Sequence, residues 1–184
     1  NMPAGINVWR WDPTAVPPGY LQGVAGTLPD QMSMDPGRSW WLQNTTGAAV
    51  NIDVPGDPVD TSRAFTLQLE QGWNMAGNML EGALAWSNLA ITPGEKVRDY
   101  GYTYNKANGS YQLVTGTVAG SDLINVIGAV HVIPQNAGFW IKSDVRRTVQ
   151  VSTVIAADAD TAAAPEPKFT AGDYLVPIVV KAAG

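Results

Sequence analysis

Gly101-Tyr102-Thr103-Tyr104-Asn105-Lys106-Ala107-Asn108-Gly109-Ser110-Tyr111 is the stretch on which the fold class turns. Tyr102 and Tyr104 alternate with Gly101, Thr103 and Asn105, and a period of two residues is the spacing of a strand that puts alternate side chains on opposite faces. Asn108-Gly109 then offers the positive φ angles of a tight hairpin turn, and Tyr111 opens the returning strand. Working outward, Val8-Trp9-Arg10-Trp11-Asp12 has the same ring-every-second-residue pattern, and Phe65, Leu67 and Leu69 alternate with Thr66, Gln68 and Glu70. Only Leu80 to Leu89 has apolar residues at helical spacing, and it is short enough to predict one minor helix of a turn or two. The expectation is an all-β chain, a sandwich or a pair of small barrels.

Related patterns recur along the chain. Trp41-Leu42-Gln43 and Trp140-Ile141-Lys142 align 99 positions apart, and at the same shift Val50 falls on Val149 and Ile52 on Val151. Residues 8–12 resemble residues 101–105, with Tyr20 and Tyr111 following at similar distances. The expected organisation is therefore an internally repeated module over residues 1–155, with related halves at about 5–54 and 62–153, the first of them truncated. Trp41 and Trp140 should then stand in equivalent environments. Residues 156–167, rich in Ala, Asp and Pro, have linker composition. Residues 168–184 hold a strand, Tyr174 to Val180, that packs back on the module or begins another domain.

Composition narrows the function classes. The 184 residues are 45% hydrophobic and 9% aromatic, enough to fill a core, and only 15% charged, with 19 Gly and 13 Pro to supply turns. A formal charge of −5 and an isoelectric point near 4.6 set nucleic acid aside as a partner, because that affinity rests on Lys and Arg releasing counterions. Without Cys there is neither a disulfide framework nor a thiolate metal site, so packing alone must hold the fold. The longest apolar runs fall far short of the ~20 residues of a membrane helix, so no membrane insertion is expected. The chain opens without a basic and apolar leader, and any export signal is expected upstream of it.

A family resemblance lies in Gln71-Gly72-Trp73-Asn74-Met75-Ala76-Gly77-Asn78, then Leu84-Ala85-Trp86-Ser87, Tyr102-Thr103-Tyr104-Asn105, Gly109-Ser110-Tyr111 and Gly138-Phe139-Trp140-Ile141-Lys142. These segments resemble, in order, the Gly-Trp-Asn-Leu-x-Gly-Asn and Gly-Tyr/Phe-Trp-Ile/Val repeats of large secreted and cell-surface bacterial proteins. The match covers about residues 62–153 in full, and residues 5–54 match only its second half. Met79 departs from it, standing where Pro commonly follows the Gly-Asn. The resemblance implies an exported β-rich module, extracellular or at the cell surface, and no reaction.

No constellation of catalytic type emerges. The single histidine, His131, sits between Val130 and Val132 and reads as a strand residue, with no Gly-x-Ser-x-Gly elbow anywhere to supply a nucleophile. Two carboxylates alone could hydrolyse a glycoside, but Asp30, Asp57, Asp60, Glu95 and Asp122 lie beside or within two residues of Gly or Pro and read as turn residues. Asp158 and Asp160 lack the Gly and closing Glu of a calcium loop. No cofactor and no metal are expected, and the chain is read as non-catalytic.

The seven Trp and six Tyr carry most of the information. A flat ring stacks on the C–H face of a pyranose, so Trp9, Trp11, Tyr20, Trp40, Tyr102, Tyr104 and Tyr111 are candidate ligand-binding residues for a polysaccharide. Neighbours on a strand point to opposite faces, so with Trp41 in the core Trp40 should face outward or into an interface. The competing reading is cross-strand aromatic packing. Three or more coplanar exposed rings would favour sugar binding; buried rings beside open strand edges would favour a structural, adhesive or assembly module whose partners are neighbouring domains or identical subunits. A terminal strand that completes a neighbour's sheet is a further variant, as in a filament or surface layer.

Overall fold

In a computed structural model the described residues are 3–23, 36–52, 63–91, 96–116, 130–153 and the backbone of 176–178. They form twelve short strands: β1 (Ile6–Asp12), β2 (Gly19–Gly23), β3 (Trp40–Asn44), β4 (Phe65–Leu69), β5 (Gly72–Gly77), β6 (Leu84–Ala85), β7 (Val97–Asn105), β8 (Ser110–Thr115), β9 (Val132–Ile133), β10 (Gly138–Ser143), β11 (Arg147–Val151) and β12 (Val176–Ile178). The fold is all-β, and all its strand pairs are antiparallel. Two four-stranded sheets have the orders β12-β3-β1-β2 and β5-β10-β7-β8, and two-stranded ribbons pair β4 with β11 and β6 with β9. No closed barrel forms among the described residues, so of the two expected architectures the layered one is present. Nor is any helix among them long and apolar enough to cross a membrane.

The expected hairpin is β7–β8, closed by Asn105 opposite Ser110. It differs in its turn. Only Gly109 takes a positive φ, +67°, whereas Asn108 accepts from the Ser110 N–H and hydroxyl and Asn105 accepts from the Ala107 N–H. Two side-chain caps thus make a four-residue connection stable where two left-handed residues would have made a tighter one. The helix expected over Leu80 to Leu89 is reduced to a 3-10 turn at Trp86–Asn88. Leu84 and Ala85 are extended because they pair with Ile133 and Val132, a long-range partner that local spacing does not reveal.

Each four-stranded sheet has two unlike faces. In the second sheet Phe139 and Ile141 of β10, Gly101 and Thr103 of β7, and Val114 of β8 share one face through direct cross-strand pairing. Leu67, Leu69, Val149 and Val151 from β4–β11, Leu84 and Ile133 from β6–β9, and Trp86 cover that face and form the aliphatic core. The opposite face carries Trp73, Met75, Trp140, Lys142, Tyr102, Tyr104 and Tyr111. In the first sheet Ile6, Val8, Trp40 and Leu42 are all 1% exposed on one side, while Trp9, Trp11, Tyr20 and Trp41 line the other. The ring-bearing faces of the two sheets meet.

The linker expected at 156–167 and the carboxylates Asp30, Asp57, Asp60, Glu95, Asp122, Asp158 and Asp160 lie outside the described residues. Of residues 168–184, the strand 176–178 pairs back onto β3, with Val176 opposite Leu42, Pro177 opposite Trp41 and Ile178 opposite Trp40. Val50 and Ile52, which align with the buried Val149 and Val151 of β11, are half-buried and outside any named strand.

Candidate functional site

The candidate site is the aromatic layer between the sheets. Strand register builds it: Trp9 pairs with Trp41 and Trp11 with Tyr20 in the first sheet, and Tyr102 pairs with Trp140 and Tyr104 with Tyr111 in the second. The rings then cross between sheets. Trp41 meets Tyr104 and Tyr111 edge-to-face at 5.4 and 6.3 Å, and Trp140 meets Trp11 and Tyr20 edge-to-face at 5.5 and 6.5 Å. Each tryptophan thus packs against a pair of mutually touching rings of the opposite sheet, Tyr104 and Tyr111 lying 5.5 Å apart and Trp11 and Tyr20 5.1 Å. Such contacts add about 0.5–1.5 kcal/mol each beyond the area they bury. The Trp11 indole N–H also donates to the Trp73 carbonyl at 2.7 Å, a polar tie across the layer.

Six of the seven expected residues belong to this layer. Trp9, Trp11, Tyr102 and Tyr104 are half-buried in it, and Tyr20 and Tyr111 lie at its rim, 48% and 50% exposed. Trp40 is the correction: at 1% exposure it faces neither solvent nor the layer. Alternation did put it opposite Trp41, but that side of the sheet is a second buried face, shared with Ile6, Val8 and Leu42. Trp73, Trp140 and Lys142 were missed. Trp73 sits beside Tyr102 at 5.8 Å and beneath the Lys142 ammonium at 5.9 Å. Its parity with Met75 in β5 was a usable signal, but the Trp73–Lys142 pairing comes from β5–β10 register.

Between these rings lies an open cleft of about 380 Å³ lined by Trp11, Trp73, Tyr102, Tyr111 and Trp140. A more polar cleft of about 560 Å³ runs beside β1 and the β4–β5 hairpin, with Arg10, Asp12, Arg38 and Glu70 on its walls. His131 occupies a bend, its Nδ1 2.9 Å from the Thr115 carbonyl, which therefore fixes the proton on that nitrogen. Among the described residues no three His, Asp or Glu side chains gather at metal-binding distance.

Burial pushes the phenols of both Tyr20 and Tyr111 above their usual value. The Trp41 indole opposes this at Tyr20 and the Trp140 indole at Tyr111, and charge on a neighbouring tyrosine adds to it. A folded value above the unfolded one means that the contribution to stability is complete below pH ~10 and is lost as pH rises through the raised values. The unfolding midpoint should therefore hold up to pH ~10 and then fall, less steeply in a Tyr20→Phe/Tyr111→Phe variant. Denaturant titrations across alkaline pH check this; identical declines would contradict it.

Fold and site together define an all-β protein of small antiparallel sheets joined through an aromatic interlayer. No protein-family model, curated protein or solved structure matches the chain.

Proposed function

We propose that this chain is a non-catalytic structural or assembly module of a larger exported bacterial protein, built from two related halves and working through neighbouring domains or identical subunits. The observation that carries this is the reciprocal ring contact, in which Trp41 packs edge-to-face against the Tyr104–Tyr111 pair of the second sheet and Trp140 against the Trp11–Tyr20 pair of the first. The rings meet at interplanar angles of 72 to 89° around Trp11, Tyr20, Trp41, Trp140, Tyr104 and Tyr111, the geometry of packing and not of a coplanar platform. Descent of the halves from one unit is supported by matching registers: Trp9–Trp41 and Trp11–Tyr20 correspond to Tyr102–Trp140 and Tyr104–Tyr111. Gly37 and Asn136, at the same offset before Trp41 and Trp140, are both left-handed, with φ +80° and +58°. Export and a bacterial source rest on the resemblance of residues 62–153 alone.

A second reading, a carbohydrate-binding module, is favoured by the cleft at Trp11, Trp73, Tyr102, Tyr111 and Trp140. Its rings would stack on a sugar, but few polar groups line it to meet hydroxyls. One experiment separates the two. Glycan-array and insoluble-polysaccharide binding, run beside sedimentation of the same protein, should show self-association and no saturable glycan binding. Saturable binding weakened about tenfold or more by Tyr111→Ala, at an exposed ring whose loss leaves the core intact, would overturn the structural reading. Trp40→Ala is unsuitable for this purpose, since it opens a cavity in a buried face.

A further inference from the structure

We infer that β12 is an exchangeable strand, and that the outer edge of β3 accepts it from a second copy of this chain. The inference rests on the assembly reading and names its partner.

The two large sheets differ in how their equivalent edge strand is attached. Beside β10 the edge position belongs to β5, paired over six residues from Gly77 to Gly72 and joined to β4 by a hairpin. Asn74 locks that hairpin by accepting from the Glu70 N–H and donating to the Glu70 and Gly72 carbonyls. Beside β3 the corresponding position belongs to β12, paired over only Val176, Pro177 and Ile178. Residues 152–175 separate it from β11, and an extended segment of that length reaches up to about 80 Å. Where the second sheet has a strand held by its own turn, the first has a short strand on a long tether.

The acceptor edge cannot be left open without cost. Trp40, Trp41 and Leu42 are 1%, 5% and 1% exposed, and an unpaired strand of such residues is a template for pairing with any other chain. Pro177 limits what can follow. It has no N–H to donate, which suits it to an outermost strand, so the sheet gains one strand and stops. Each chain therefore carries one donor strand and one acceptor edge. Two such chains can exchange the strand reciprocally and close into a two-fold dimer, and one-way donation extends the same pairing into rings or open chains.

Hydrogen bonds between β12 and β3 are the same whether the donor belongs to the same chain or to the next. The choice between them is thus set by concentration. A connection of this length sets the effective concentration of the chain's own strand on the order of millimolar, and exchange prevails where copies are crowded to that level or beyond. Three paired residues give the strand little to hold it in place once a competitor is present.

The chain contains no Cys, so disulfides can report the connection directly. Full-length Leu42→Cys and Val176→Cys variants, whose Cα atoms face each other across the pair, are mixed at about 1 mM and at ~1 μM and oxidised. A mixed disulfide in excess of random proportion forms here only if β12 of one chain lies on β3 of the other. The expected result is a mixed disulfide more abundant at 1 mM than either like-with-like disulfide, and disappearing on dilution. Mixed and like disulfides in random proportion at 1 mM, with the Leu42→Cys/Val176→Cys double variant closing wholly within one chain, would overturn the inference. Because Leu42 is buried, cysteine-free chains provide a second readout: deletion of 156–167 shortens the tether and should raise the oligomer fraction severalfold in sedimentation. A deletion variant as monomeric as the wild type would likewise overturn it. Wild-type self-association without mixed disulfide would leave the assembly reading standing and remove strand exchange from it.

Discussion

Gly101→Ala is expected to destabilise the protein by about 3 kcal/mol, one of the largest effects a single methyl group can have here. Gly101 lies in β7 opposite Ile141 and Val114, on the face turned toward the aliphatic core. A Cβ at this position would collide with the Trp140 carbonyl oxygen and come within 2.5 and 2.8 Å of the Trp86 ring carbons Cη2 and Cζ3. Neither neighbour yields easily. The carbonyl belongs to the adjacent strand, and Trp86 is 2% exposed and held edge-to-face against Phe139 at 5.9 Å. Glycine within a strand marks close approach of another group, and here that group is the indole that caps the core. For a chain of this size about 3 kcal/mol lowers the unfolding midpoint by roughly 6–12 °C. Calorimetry of Gly101→Ala, Trp86→Phe and the pair checks the cause. The alanine should cost markedly less in the Trp86→Phe background, and equal costs in both would mean that the indole is not what the methyl meets.

Asn78→Leu is expected to cost a similar ~3 kcal/mol, by a different route. Asn78 is fully buried, yet every polar atom of its side chain is used. Nδ2 donates to the carbonyls of Gly82 at 2.9 Å, Ile133 at 3.1 Å and Pro134 at 3.0 Å, and Oδ1 accepts from the Leu80 N–H at 2.9 Å. The side chain stands in for a strand, joining the loop after β5 to the end of β9. Leucine nearly matches its volume but leaves those carbonyls and an N–H without partners, each a desolvation cost of about 1–3 kcal/mol only partly relieved by rearrangement. Asn78→Asp separates shape from hydrogen bonding. Ionised, it would face three carbonyl oxygens with no proton to donate; protonated, it could donate once. Its folded carboxyl is therefore raised, and the variant should recover stability as pH falls through that raised value. Urea midpoints at neutral and mildly acidic pH read this out, and a pH-independent loss would contradict the hydrogen-bond account.

These positions give the Gly-Trp-Asn-x-x-Gly-Asn segment a physical meaning. Gly72 is left-handed at φ +99°, Asn74 closes the β4–β5 turn, the Gly77 N–H donates to the Gly37 carbonyl, and Asn78 ties down the following loop. Trp73 alone among these points into the aromatic layer. The segment organises a fold edge.

Much of this was legible in the sequence because it is local. Alternation of rings with small or polar residues determined that Trp9 and Trp11 share a face, that Tyr102 and Tyr104 share another, and that each belongs to a strand. Asn108-Gly109 located the β7–β8 hairpin. Six of seven candidate rings fell together for the same reason: parity is a property of the strand itself.

What alternation could not say is what covers each face. Trp40 and Trp41 were correctly assigned to opposite sides, but both sides are buried, and only the stacking of layers made Trp40 a core residue. Leu84 and Ala85 are extended only because β9 pairs with them from far along the chain. Trp73 approaches Lys142, and β12 takes the edge of β3, through registers set by contacts between segments tens of residues apart. By itself, then, the sequence determined the strands, their two faces and the rings on them, since backbone geometry and turn chemistry act between near neighbours. Tertiary structure alone decided which face met which, because that choice balances buried area and hydrogen bonds over the whole molecule.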